Sequence, residues 1–202
     1  PVELRNDIHR IEIENERNAA AVFIMDDRWR RKSIALQSGT ASESDQPLLS
    51  PFYYVSRALE PFGEMTEPGD VIALKEQLDQ GLSMLVLTDI GVLPQDSRDL
   101  VAAWVERGGV LLRFAGPRMA RAQDDLIPVT LREGGRLLGS ALSWETPQAM
   151  QAFPEKSPFN GLAIDDTVRV SRQVLAEPDA DLPDRVWANL EDGTPMVTAR
   201  RS

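Results

Sequence analysis

From Ser33 onward the chain alternates short apolar runs with amphipathic ones, and this rhythm constrains the fold more than any other feature. "SIALQSG" (33–39) reads as a short apolar strand that ends in small polar residues. "SPFYYVSRALEP" (50–61) reads as a helix, with Ser50 suited to the N-cap and Pro51 to the first helical position. Phe52, Val55 and Leu59 fall on one face of it, and Pro61 stops it. "GEMTE" (63–67) is a weak strand of the edge type. "DVIALKEQLDQG" (70–81) is a helix capped by Asp70 and closed by Gly81, with Val71, Leu74 and Leu78 on one side. "LSMLVLTDIG" (82–91) is nearly continuous in apolar residues, as a strand covered on both faces must be. "PQDSRDLVAAWVERGG" (94–109) has acidic residues early, Arg107 late and a buried stripe of Leu100, Val101, Trp104 and Val105. "GVLLRFAG" (109–116) is the next strand. Strands separated by helices imply βαβ crossovers, hence a mostly parallel α/β sheet with helices on both faces.

The flanks read differently. "HRIEIENE" (9–16) sets Ile11 and Ile13 against Glu12 and Glu14, the pattern of a half-exposed strand. "AAAVFIMDD" (19–27) predicts a second, more buried strand. "RWRRK" (28–32) places basic residues around Trp29 and is read as a solvated connector. Residues 1–32 are therefore expected to be a β segment or linker from a preceding domain, and 33–202 the α/β domain. Beyond residue 120 the pattern turns β-rich. "LIPVTLREGGRLLGSALSW" (126–144) suggests a hairpin or two strands turned at Gly134-Gly135. "TVRVSRQVLAE" (167–177) alternates, and "RVWANLEDGTPMVTAR" (185–200) reads as a hairpin turning at Asp192-Gly193. This part is expected to pack onto the α/β domain. A start at Pro1 without methionine, and an end inside a strand-like run, suggest a piece of a longer protein, truncated at its C-terminus.

Composition removes several functions. The 202 residues carry a formal charge of −10, which repels phosphate backbones and argues against nucleic acid. There is no cysteine, so disulfides, thiolate metal sites and cysteine nucleophiles are excluded together. A single histidine, His9, precludes a histidine metal cluster and leaves a Ser-His-Asp triad without a suitably placed base. No cofactor is expected, because no P-loop and no G-x-G-x-x-G after a strand is present.

In open parallel sheets ligands gather beyond the carboxyl ends of the strands. That rule selects Ser38 and Gly39, then Asp89 and Gly91, then Ala115, Gly116 and Arg118 as ligand-binding candidates. Asp89 has the chemistry of a base or a metal ligand, but the ordinary role of an aspartate at a strand end is to cap a turn or helix. Ser38 is the one plausible hydroxyl nucleophile and lacks a partner base. The pairs Asp26-Asp27, Asp124-Asp125 and Asp165-Asp166 are read as surface carboxylates, because adjacent side chains diverge.

The run from Ser33 to Gly116 resembles the class I glutamine amidotransferase-like fold, a flavodoxin-like sheet with a nucleophile elbow after one strand. Active members carry cysteine in a G-x-C-x-G turn, with a histidine and a glutamate downstream. The corresponding turn here is "RFAGP", where Ala115 or a neighbour replaces the cysteine and no histidine follows. A closer likeness is to bacterial double-transmembrane, aerotolerance-regulator-like membrane proteins of unknown function. It is carried by "ELRNDIHRIEIENE" (3–16), "QPLLSPFYYVSRAL" (46–59), "WVERGGVLLRFAGPRMA" (104–120), "LGSALSWETPQ" (138–148) and "LEDGTPMVTA" (190–199). The resemblance implies a soluble, membrane-associated domain tethered by segments outside this chain, with a degenerate active site. The expectation is a non-catalytic domain that binds envelope proteins or a small ligand. The alternative is a hydrolase-type enzyme in which Ser38, Asp89 and Arg118 converge at the strand ends.

Overall fold

The computed structural model describes residues 8–16, 18–26, 31–39, 51–132 and 141–201. Trp29 and its arginines at 28 and 30, the Ser50 cap, Thr40 and the Gly134-Gly135 turn lie outside the described residues.

Four parallel strands form the centre: β3 (Lys32–Ser38), β4 (Gly63–Thr66), β5 (Met84–Thr88) and β6 (Val110–Phe114). They lie in the order β4-β3-β5-β6, so the chain steps outward to β4 and then crosses back over β3 to β5. The connecting helices are α1 (Pro51–Leu59), α2 (Val71–Asp79) and α3 (Gln95–Glu106). Right-handed crossovers require a helix on one face when the chain moves one way and on the other when it reverses. Residue alternation shows this arrangement. Ile34, Leu36 and Val86 face Phe52, Val55 and Leu59 of α1. Ala35, Leu85 and Leu87 face Leu74 and Leu78 of α2 and Val101 and Trp104 of α3. Leu36, Leu85, Val86 and Leu87 are all at most 1% exposed, and each contributes roughly 1.5–3 kcal/mol through burial.

The local signals act where expected. The Asp70 carboxylate accepts from the Ala73 amide at 2.8 Å and starts α2. Among the described residues β4 pairs on one side only, with β3, as an edge strand does. Tyr54 is exposed, whereas Tyr53 is half-buried beneath the Arg57 guanidinium, 5.7 Å from the ring centre. Arg31, from the basic run before β3, donates to the carbonyls of Glu60 and Gly63 and so ties down the α1–β4 turn.

Two flanking expectations change. The segment 19–27 forms a 3₁₀ turn (Ala19–Ala21) and then a three-residue strand β2 (Val22–Ile24), paired antiparallel with β1 (Arg10–Glu12). Phe23 and Ile24 are exposed, so β2 is only marginally better covered than β1, with Val22 half-buried where all of β1 is exposed. Residues 126–132 do not form one arm of a hairpin with the strand that follows. The later strand β7 (Ala141–Gln148) pairs with β8 (Val170–Val174), and Leu131 bridges to Ala176 instead. Composition cannot choose between these partners; the choice follows from Ile127, Val129 and Leu131 packing on Met119, Val174 and Ala176.

Through that cluster the β-rich part is packed against the α/β part, because Met119 belongs to α4 (Pro117–Arg121), the short helix after β6. Backbone bonds from Arg132 to Leu175 and from Glu177 to Thr130 join two segments within the β-rich part. The chain closes with a short helix α5 (Leu182–Arg185) and the hairpin of β9 (Val186–Asn189) and β10 (Pro195–Thr198), turning at Asp192-Gly193 as read from the sequence. Trp144 of β7 donates its indole N–H to the Asp192 carboxylate at 2.8 Å.

Hydrogen bonds from Thr194, and then from Trp144, hold the Asp192 carboxyl below its usual value. Its contribution is therefore complete above the ordinary aspartate pKa of about 4 and is lost as pH falls through the depressed folded value. An acid titration followed through the Trp144 indole N–H resonance is expected to hold its position to below pH ~4. A shift already complete at pH ~5 would contradict it.

Candidate functional site

The three strand-end turns meet at one place, as their order in the sheet requires. The Gly39 amide donates to the Thr88 carbonyl at 2.9 Å, and the Asp89 amide donates to the Phe114 carbonyl at 3.0 Å. The ends of β3, β5 and β6 are thus joined side by side.

Asp89 organises the cluster. Its backbone is left-handed at φ 48°, a conformation that aspartate tolerates at a modest cost. That twist swings the carboxylate across to α4, where Oδ1 accepts the amides of Arg118 and Met119, each at 3.0 Å. Gly116 is the N-cap residue of α4, and a Cβ there would lie 2.4–2.6 Å from the Asp89 carboxylate. Only glycine lets the carboxylate so close. The Arg118 guanidinium reaches back to donate to the Gly39 carbonyl. Gly39 itself touches Asp89 backbone: a Cβ would meet the Asp89 carbonyl oxygen at 2.3 Å. Gly91 packs on the end of α4, where a Cβ would lie 2.7 Å from the Ala122 carbonyl oxygen.

The seven residues selected from the sequence therefore fall into two groups. Gly39, Asp89, Gly91, Gly116 and Arg118 contact one another and hold the turns together. Ala115 is exposed and bears no reactive group. Ser38 stands in register with Thr88, and Thr88 with Phe114, on the same face of the sheet. The Thr88 hydroxyl is enclosed at 2% exposure and makes no hydrogen bond among the described residues.

A second polar centre lies behind these turns. Arg113 projects from β6 into an ion pair with Asp124, and the two side chains are 4% and 1% exposed. The same guanidinium donates to the carbonyls of Ile90 and Gly91 at 2.7 and 2.6 Å. The Asp124 carboxylate accepts the amides of Leu93 and Leu126, both at 3.1 Å. This pair clamps the loops after β5 and α4 onto β6. Asp124 is thus not the surface carboxylate read from the sequence, whereas its neighbour Asp125 is. The available signal was Arg113 itself: a charge on an otherwise apolar strand needs a partner.

A concavity of about 580 Å³ lies at the opposite, N-terminal ends of the strands, between Lys32, Ile34, Phe62, Met84, Arg107 and Val110. Among the described residues no group of three or more histidine, aspartate or glutamate side chains could hold a metal ion. No helix among them is long and apolar enough to cross a membrane. Comparison with family models, with curated proteins and with solved structures yields no match.

Proposed function

We propose that this chain is a non-catalytic binding domain, flavodoxin-like and class I glutamine amidotransferase-like in fold, serving a bacterial membrane-anchored protein. The strand order β4-β3-β5-β6 supports the fold reading, because it is the first part of the flavodoxin-like order with its switch point between β3 and β5. The tether and the envelope partners, or a small ligand, rest on the resemblance in residues 3–16, 46–59, 104–120, 138–148 and 190–199.

One observation carries the non-catalytic reading. The functional groups that an enzyme would need at the strand ends are already bonded within the chain. The Asp89 carboxylate caps α4 and the Arg118 guanidinium binds a backbone carbonyl. Asp89 Oδ1 is already engaged by two amides, and the elbow offers Ala115 where a nucleophile would stand. The hydrolase reading draws on the same cluster, since Asp89 and Arg118 meet there and Ser38 ends the adjoining strand.

Product release from a panel of activated esters, amides, phosphoesters and glutamine separates the two. The wild-type chain and its Ser38→Ala, Asp89→Asn and Arg118→Ala variants are expected to give the same background rate, with folding verified by circular dichroism. Turnover present in the wild type and lost in any folded variant would establish the hydrolase instead.

A further inference from the structure

The N-terminal hairpin of β1 and β2 leaves apolar side chains exposed on both faces, Ile11 and Ile13 on one and Ile24, in register with Arg10, on the other. Ile11 is 52% exposed, Ile13 63% and Ile24 74%. An isolated two-stranded hairpin is marginal in water, and among the described residues β1 and β2 pair only with each other. A further strand on this sheet would supply the cross-strand pairs that two strands lack and set its side chains beside Ile11.

Backbone geometry states which groups are offered. Met25 donates to the His9 carbonyl, and Ile13 donates to the Ala21 carbonyl, both at 2.9 Å. In an antiparallel pair the groups facing the partner belong to alternate residues, here 9, 11 and 13. The amides and carbonyls of Arg10 and Glu12 therefore point away from β2, along an edge that no described strand covers.

We propose that this edge pairs with the same edge of a second copy of the chain, antiparallel, about a two-fold axis at Ile11. In that register Arg10 faces Glu12 of the second copy, and Glu12 faces Arg10 of the second copy. Both are hydrogen-bonded pairs, as the outward-pointing groups require. Among axes from Arg10 to Ile13, charge selects this register. An axis at Arg10 sets Arg10 against itself, one at Glu12 sets Glu12 against itself, and one at Ile13 sets Glu12 against Glu14. Like charges directly opposite are destabilising and opposite charges stabilising. The two Ile11 residues meet across the axis as a close, non-hydrogen-bonded pair. Phe23, in register with Ile11, continues the apolar face in each copy, giving a four-stranded sheet β2-β1-β1-β2. The interface is isologous, so it closes as a dimer. The Arg10–Glu12 ion pair within each chain has both side chains more than half exposed, so the dimer exchanges two weak pairs, one per copy, for two between chains, and charge sets the register without itself driving association. The overall charge of −10 opposes association only weakly at physiological salt, where screening acts over about 8 Å.

The test is sedimentation equilibrium of the 202-residue chain at about 0.15 M salt, combined with charge exchange. The wild type is expected to be a concentration-dependent dimer. Arg10→Glu and Glu12→Arg should each weaken it about tenfold or more, and the double exchange should restore it. The native chain has no cysteine, so an Ile11→Cys variant provides a unique probe. It is expected to form a disulfide-linked dimer on mild oxidation, because close-pair Cα atoms lie about 4.5 Å apart. A wild type monomeric up to about 0.1 mM would overturn the proposal. So would a double exchange that fails to restore the dimer, or linkage by Phe23→Cys in place of Ile11→Cys, which would assign the contact to β2.

Discussion

Replacing Asp124 with alanine is expected to lower the unfolding free energy by about 3–5 kcal/mol, the range found when one partner of a buried ion pair is removed. The reason is local. Arg113 is 4% exposed and its Nε already lacks a hydrogen-bond partner, so loss of the carboxylate strands a guanidinium away from water. The amides of Leu93 and Leu126 lose their acceptor in the same step. Urea denaturation at neutral pH reads the effect directly, and the accompanying fall in Tm should be roughly 10 °C for a chain of this size. An Arg113→Leu/Asp124→Leu double variant should be destabilised by less than the sum of the two single changes, because no unpaired charge remains. A cost of less than about 1 kcal/mol for Asp124→Ala would mean that the pair is hydrated and does not clamp the loops.

Gly39→Ala is expected to cost about 2–3 kcal/mol, the upper part of the range for overpacking. The added carbon would sit 2.3 Å from the Asp89 carbonyl oxygen, 2.9 Å from the Asp89 carbonyl carbon and 3.3 Å from the Ile90 Cα. All three atoms are backbone, so relief requires the ends of β3 and β5 to part, and with them the bond from the Gly39 amide to the Thr88 carbonyl. Gly116→Ala should cost less. There the obstruction is the Asp89 side chain, which can swing aside by releasing the α4 amides, a capping loss of about 1 kcal/mol. Gly69→Ala is the control, since nothing lies within 4 Å of its added carbon. Equal stabilities of the Gly39→Ala and Gly69→Ala proteins in the same urea titration would refute the close approach of the two turns.

Several elements were legible because their signals are local. Asp70 starts α2 through its own carboxylate, and Pro51 and Pro61 bracket α1. Continuous apolar character marked β5 as a strand covered on both faces. Signals failed where the deciding partner is remote. Phe23 and Ile24 are as apolar as core residues yet lie exposed on a two-stranded hairpin. Leu131 has an apolar pattern suited to a hairpin arm, but it bridges to Ala176, 45 residues later. Asp124 and Asp125 look alike in the sequence, and only the position of Arg113 separates the buried carboxylate from the exposed one.

The candidate site divides along the same line. The sequence by itself determined that Gly39, Gly91 and Gly116 have no side chain, that no cysteine is available anywhere, and that Ala115 bears no reactive group. These are properties of residue identity and hold in any conformation. Only the tertiary structure decided what Asp89 and Arg118 do. A carboxylate can serve as base, ligand or cap, and its role follows from what lies within about 3 Å of it. Here the left-handed backbone at Asp89 and the bare Gly116 bring Oδ1 of the carboxylate onto the amides of α4, and that oxygen holds the turns together.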